Sequence, residues 1–588
     1  MKFRYDINGL RALATVGVLF FHAGVETFYG GFLGVDVFFV ISGFLITSNI
    51  IKEVDSDSFS LKVFYDKRAR RILPALTFTM LITTLLAFYF MLPYDLKNYG
   101  QSLFATSFGA NNILLYLTSG YWSLASEFKP LYHMWSLGVE EQYYFIIPIL
   151  FVLLYGNVSF RKTIFILFLI SWMISLYTVN KEFDFLIITN RFWELCTGTL
   201  LALYYSRFKF KSDILSFIGV CMIVFSYILP FYFSEKQAIY SLVPVIGTVL
   251  IIVFSKPYGY INRFFSQKII FYFGLSSYSV YLLHQPILSF LRLSHEGKTP
   301  VSSEVFFVLL SIPLGILMWK FIEVPMRNPK KISNKLFYSL ILTCILSLSS
   351  LGFMMHKSYG FQYASWNSKY SYGVNPQDYA DTPYKLQSDS FQTDKPKMLI
   401  IGNSFARDFL NVLTESEVTT GYEVVYLFSY YADLTVSRNL ASNADVVFFV
   451  SSAGKSNRME DEVDLLERTL KVKVELDNFV AGDYYFVGTK NYGYNNNFTK
   501  IFDWDKSKNY LVNINKSSID ANNIQSEIFR EKYIDLLSLT RNRDKTRLFT
   551  DGHKFISFDT NHITKDGAVY LGGLLLQNEI ISEILLKP

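Results

Sequence analysis

Eleven apolar stretches crowd the first 355 residues, near 8–26, 32–51, 72–92, 141–155, 163–179, 187–205, 214–233, 238–254, 274–292, 303–323 and 336–355. Each has roughly the 17–25 residues that an α-helix needs to cross the hydrocarbon of a bilayer. Backbone polar groups must be satisfied internally in that medium, so runs of this kind are read as membrane helices. The fourth is short, and the semi-polar stretch 99–118 reads as an additional re-entrant or spanning piece. The whole chain of 588 residues is 51% hydrophobic with a mean hydropathy of +0.26, too apolar for an ordinary soluble protein and too long for one domain. That apolarity ends near residue 355, after which the composition is that of a soluble domain.

Charge gives the orientation. With the N-terminus in the cytoplasm, the inward loops hold about 18 Lys and Arg and the outward loops about 6, a positive-inside bias. Eleven crossings then place the polar C-terminal part outside the cytoplasm. The net charge of +6 calls for no nucleic-acid partner. Cys196, Cys221 and Cys344 all lie in apolar runs without metal-ligand spacing, so no zinc site or disulfide framework is expected. Lys2 and Arg4 precede the first run but no small-residue cleavage site follows it, which reads as a retained anchor.

Polar groups interrupt these spans. Arg11 and His22 are eleven residues apart, about 1100° or nearly three full turns, with a rise of ~16.5 Å. They share one helix face, one near an end and one deeper in, and ionisable groups at such depth usually mark a functional path. Asp36 stands near the outer end of the next span. The loop Tyr65-Asp-Lys-Arg68-Ala-Arg70-Arg71-Ile-Leu-Pro74 sets Arg68, Arg70 and Arg71 at the membrane face. Guanidinium forks suit phosphate oxygens, and the competing reading is a positive-inside stop signal. Farther on come His133, Trp135, Glu140 and Glu141, then Tyr278, Tyr281 and His284 beside Pro286, and finally Glu323 and Arg327. Arg191 and Glu194, three apart, read as a structural ion pair.

Taken in order, Arg11…His22, Gly31…Asp36, Arg68–Pro74, Trp135-Ser-Leu-Gly-Val-Glu-Glu-Gln, Tyr278…His284 and Glu323…Arg327 resemble the acyltransferase-3 family of membrane acyltransferases over the first ~330 residues. The resemblance implies cytoplasmic acetyl-CoA as donor, an essential Arg11–His22 pair, and delivery of acetyl across the membrane to an extracytoplasmic glycan. The ~16.5 Å rise is comparable to an extended pantetheine arm. Arg11, with Arg68, Arg70 and Arg71, is therefore expected to bind the donor, His22 to meet the thioester, and Asp36, His133, Glu140, Glu141 and His284 to support that site.

Residues 356–395 lack periodicity and read as an extracytoplasmic linker packed on or near the membrane domain (1–335 plus an additional span, 336–355). From 396 the pattern is α/β. Met398–Ile401, Val424–Phe428, Val446–Ser451 and Tyr485–Val487 are strand candidates, with helices from Phe405 to Val412 and near 460–470 and 524–538. Gly402-Asn403-Ser404 puts a hydroxyl where a strand hands over to a helix, at the sheet edge where sites gather. Asp559-Thr-Asn-His562 near the C-terminus offers a base and its orienter. Together these resemble an SGNH-type esterase or acetyltransferase domain, which implies Ser404 as nucleophile, His562 as base and Asp559 as orienter. His553 has no acid three residues before it and competes weakly. Asn403 stands where that family usually has Asp. No clear oxyanion block is found; Ser451, Ser452, Gly454 and Asn457 follow a suitable strand.

The expectation is a polytopic helical membrane domain followed by a three-layer α/β SGNH-like domain. It forms an inner-membrane O-acetyltransferase with its C-terminal domain in the periplasm, and no metal or permanently bound cofactor is expected. Its acceptor is an envelope polysaccharide, lipopolysaccharide O-antigen or oligosaccharide before peptidoglycan. A transporter of lipid or glycan with a glycan-binding outer domain is the rival of a different class.

Overall fold

The computed structural model describes residues 3–118, 126–154, 158–228, 236–428, 433–450, 460–501, 509–578 and 582–583. The chain divides into two compact units. One comprises Met1–Tyr89, Asp95–Arg292 and Thr299–Lys357; the other comprises Phe90–Tyr94, Leu293–Lys298 and Ser358–Pro588.

The first unit is a helical bundle, and every expected span forms a helix. They are Tyr5–His22 (α1), Gly34–Asp55 (α2), Leu61–Phe90 (α3), Met134–Leu154, Val158–Tyr177, Ile188–Tyr204, Asp213–Ile228, Leu242–Phe254, Lys268–Leu293, Val301–Met318 and Asn334–Lys357. The semi-polar stretch near 99–118 becomes two helices, Pro93–Ser107 and Asn111–Thr118. Seven helices among the described residues are long and apolar enough to cross a membrane. Of the others, α1, Ile188–Tyr204 and Lys268–Leu293 carry the charged and histidine side chains that lower their hydropathy, and those side chains are largely buried inside the bundle. The fourth span starts seven residues before its expected edge because Ser136, Glu140 and Glu141 belong to the helix. Close backbone approach of α2 and Ile188–Tyr204 needs glycine. A Cβ on Gly43 would lie 2.0 Å from Leu195 O, and one on Gly198 would lie 2.1 Å from Val40 O.

The second unit is a three-layer α/β domain. Strands β1 (Lys397–Gly402), β2 (Glu423–Leu427), β3 (Val446–Val450), β4 (Asp483–Val487) and β6 (Tyr533–Ile534) form a parallel sheet in the order β2-β1-β3-β4-β6. A small antiparallel sheet holds β5 (Leu511–Asn513), β8 (Lys545–Arg547) and β7 (Arg541–Asn542). Side chains alternate across β1. Met398 and Ile400 pack under helices Ser404–Glu415 and Lys565–Gln577, while Leu399 and Ile401 pack against Leu440, Leu476 and Phe529 on the other face.

Residues 358–395, expected as a linker, are part of this second unit. Helix Pro376–Ala380 and the turn Thr382–Leu386 lie on the helix that follows β1. Asn411 donates to Tyr379 O at 3.1 Å, Arg407 pairs with Asp381, and the Arg407 guanidinium sits 4.9 Å from the Tyr384 ring centre. Its aromatic and acidic residues supply anchors that periodicity does not reveal.

Candidate functional site

β1 ends in Gly402, whose φ of +142° and near-contact with β3 exclude a side chain: a Cβ there would lie 2.1 Å from Val450 O. The chain turns through Asn403, whose side chain accepts from Phe405 N at 3.0 Å and caps helix Ser404–Glu415. Asn thus fills the cap that an Asp would fill. Ser404 is the first residue of that helix, where the aligned peptide dipoles favour developing negative charge.

Asp559 and His562 reach the same point from the far end of the unit. Asp559 Oδ1 accepts from the backbone N–H of Asn561 (3.0 Å) and of His562 (2.8 Å). Its Oδ2 accepts from His562 Nδ1 at 2.6 Å. Nδ1 therefore carries the hydrogen, which leaves Nε2 to accept from the Ser404 hydroxyl at 2.9 Å. Burial alone would raise the Asp559 carboxyl, but electrostatic attraction to the His562 ring and these hydrogen bonds outweigh it and hold the group below its ordinary value. Thr560 takes φ +85°, uncommon for a β-branched residue, and Tyr492 N–H fixes the turn by donating to Thr560 O at 2.7 Å. His553 packs on Phe549 in another turn. Ser451, Ser452, Gly454 and Asn457 lie outside the described residues.

Two residues behind this array gave no signal as a pair. Asp408 and Lys490 form an ion pair at 2.8 Å with side chains 1% and 3% exposed. Asp408 also accepts from Ile563 N at 3.3 Å, and Lys490 Nζ stands 3.5 Å from the Phe405 ring centre. The pair thus ties the residue after His562 to the residue after Ser404. Burial pulls the Lys490 ammonium below its ordinary value even though Asp408 opposes the shift. Asp408 is one helical turn from Ser404 and so was within reach of spacing arguments; Lys490 comes from beyond β4 and was not.

In the helical unit, Arg11, Arg68, Arg71, Glu140, Tyr144 and Tyr278 line a cavity of about 80 Å³. Glu140 accepts from Ser42 Oγ (2.9 Å) and Tyr144 OH (2.7 Å). A cavity of about 60 Å³ shares Phe38, Leu137, Glu140 and Tyr278 with it, and shares Val35 and Tyr281 with a third, of about 560 Å³. His22, His133 and Trp135 line this third cavity. Arg11 and His22 therefore open at the two ends of a chain of cavities. His284 joins the histidines, its ring 5.1 Å from those of both His22 and His133.

Three expected members lie elsewhere. Arg70 turns away from the cavity, donating to Met326 O (3.0 Å) and Asn334 Oδ1 (2.7 Å) and stacking on Phe337. At 100° per residue, Arg68 and Arg71 are ~60° apart on α3 while Arg70 is ~160° from Arg68. Asp36 pairs with Arg191 and accepts from Ser241 Oγ at 3.0 Å, and Arg191 also meets Glu194 at 3.1 Å; this is a buried structural ion cluster. Glu141 lies against Gly109 and lines none of the three cavities.

A family profile described as "Acyltransferase domain" matches residues 4–320. O-acetyltransferase OatA of Staphylococcus aureus strain MRSA252 is 28% identical over 375 residues, 59% of this chain and 62% of that protein. OatA of strain NCTC 8325 / PS 47 is 28% identical over 343 residues, 55% and 57% of the two chains. The chain thus matches less than two thirds of these relatives' lengths. Among solved structures, the periplasmic domain of a Salmonella ser. Paratyphi A lipopolysaccharide acetyltransferase aligns at 19% identity over 32% of this chain and 85% of that one. Its TM-score is 0.27, a likeness that carries no weight beside the sheet order and triad described above.

Proposed function

The chain belongs to the acyltransferase-3 family, and from that premise we propose that it is an O-acetyltransferase of the cytoplasmic membrane, taking acetyl from cytoplasmic acetyl-CoA and delivering it to a hydroxyl of an extracytoplasmic envelope polysaccharide. The observation that carries this is the hydrogen-bonded order Ser404–His562–Asp559, at 2.9 and 2.6 Å, in an α/β unit fused to the family's helical domain. Serine is a weak nucleophile until a base is bonded to it. Here the hydroxyl already donates to an imidazole whose tautomer a carboxylate fixes, the arrangement acyl transfer through serine requires. The basic cavity at Arg11, Arg68 and Arg71 suits the phosphates of the donor, and His22 stands where the thioester arrives.

The test uses the full chain in vesicles with acetyl-labelled acetyl-CoA, reading free-thiol release beside label in lipopolysaccharide or peptidoglycan fragments. His22→Ala should abolish both. Ser404→Ala and His562→Ala should each abolish glycan labelling and leave slow thiol release, and the double variant should be little worse than either. Full glycan acetylation by Ser404→Ala would remove the serine from the pathway, and intact donor with transported glycan would make the protein a transporter. The label's destination decides between the two glycans, with the lipopolysaccharide O-antigen or oligosaccharide expected.

A further inference from the structure

Helix Lys268–Leu293 carries Pro286 in its interior. Proline has no N–H, so the carbonyl four residues back, that of Leu282, loses its helical partner. His133 takes that carbonyl, its Nε2 lying 3.2 Å from Leu282 O. A carbonyl oxygen only accepts, so Nε2 carries the hydrogen and, in the neutral ring, Nδ1 is a bare lone pair. The same reasoning fixes His284, whose Nδ1 donates to Tyr281 O, leaving Nε2 bare. Both residues are at most 1% exposed, and His133 Nδ1 and His284 Nε2 have no hydrogen-bond partner among the described residues. Buried acceptors are rarely left so without a ligand or a catalytic use. The rings of His133 and His284 meet edge to face with centres 5.1 Å apart, and His22 completes the row.

We propose, resting on the acetyltransferase reading, that His284 and His133 are proton-accepting residues of the acyl transfer made beside His22. The nucleophile is a hydroxyl, of water or of a small acceptor that carries the acetyl onward to Ser404, entering the ~560 Å³ cavity that His22 and His133 line. Its oxygen forms the new C–O bond as the thioester C–S bond breaks. Its proton passes to a bare imidazole nitrogen and then to the departing thiolate, so that an alcohol and acetyl-CoA become acetyl ester and free CoA thiol, and water and acetyl-CoA become acetic acid and free CoA thiol. Each ring is tied to a carbonyl through its other nitrogen, so it accepts and returns the proton at the same atom. It does so without turning.

Amide isosteres separate this role from packing. Asn at 284 places an N–H₂ where Nδ1–H donates, and Gln at 133 does the same for Nε2–H; neither supplies a base. In full-length protein in vesicles, with acetyl-CoA and either water or N-acetylglucosamine as acceptor, H284N and H133Q should release thiol at least tenfold more slowly. Their KM for acetyl-CoA should stay within twofold. His284→Gly should recover rate on adding imidazole, with substituted imidazoles ranking by basicity. Isosteres within twofold of the wild-type rate, or inserted H284G that imidazole does not rescue, would overturn the proton-accepting role alone. Wild-type protein that releases no thiol would overturn the acetyltransferase reading with it.

Discussion

The carboxylate of Asp559 is held by three hydrogen bonds from two successive residues, and its charged form is favoured accordingly. Its folded pKa lies below the unfolded value of about 3.9. The stabilisation it contributes is therefore complete above that pH and lost as pH falls through the folded value. Thermal unfolding of the purified protein should show wild type above Asp559→Asn by a constant margin at neutral pH, with the gap closing below about pH 4. A gap independent of pH would place the effect in packing. Asp36 behaves differently, because it faces Arg191 rather than a cavity. Both side chains are at most 1% exposed, so Asp36→Ala leaves a buried guanidinium short of a partner at a cost of about 3–5 kcal/mol. The expected outcome is poor yield and a lowered Tm; a stable variant with a purely kinetic defect would return Asp36 to the site.

At the scale of the element, α3 does two tasks on opposite faces. Arg68 and Arg71 line the basic cavity, while Arg70 fastens α3 to Met326 and Asn334. Losing a charge-assisted contact is worth about 1.5–3 kcal/mol, tenfold or more in affinity. Arg68→Ala and Arg71→Ala should each raise the KM for acetyl-CoA by roughly that factor with the Tm unchanged. Arg70→Ala should lower the Tm and leave the KM alone. Steady-state kinetics and unfolding scans on the three variants decide this, and a KM effect of Arg70→Ala equal to the others would restore a three-arginine grip.

For the whole molecule, the prediction concerns sidedness. Eleven spans and the bias of basic residues toward alternate loops predict that the α/β unit lies outside the cytoplasm. A phosphatase fused after Pro588 should be active only if exported, and activity of a cytoplasm-only reporter there would refute the topology. Much was legible from residues alone: the helical spans, the parallel α/β pattern, and the Ser404, Asp559 and His562 set. These are local features. A span is recognised by its length in apolar residues, a strand-to-helix serine by its neighbours, and an acid–base pair by a spacing of three. Near-neighbour reasoning could not see contacts that join distant segments. Asp36 meets Arg191 across 155 residues, and His133 meets the carbonyl freed by Pro286 across 149. Lys490 meets Asp408 from another strand's end, and residues 376–386 fold onto the helix that Ser404 opens. The sequence by itself determined which elements form and which side chains can do chemistry, because backbone geometry and burial act over a few residues. Tertiary packing alone decided which charges neutralise one another and which remain facing a cavity, because a charge buried in a bundle is paired by whatever helix the fold brings beside it.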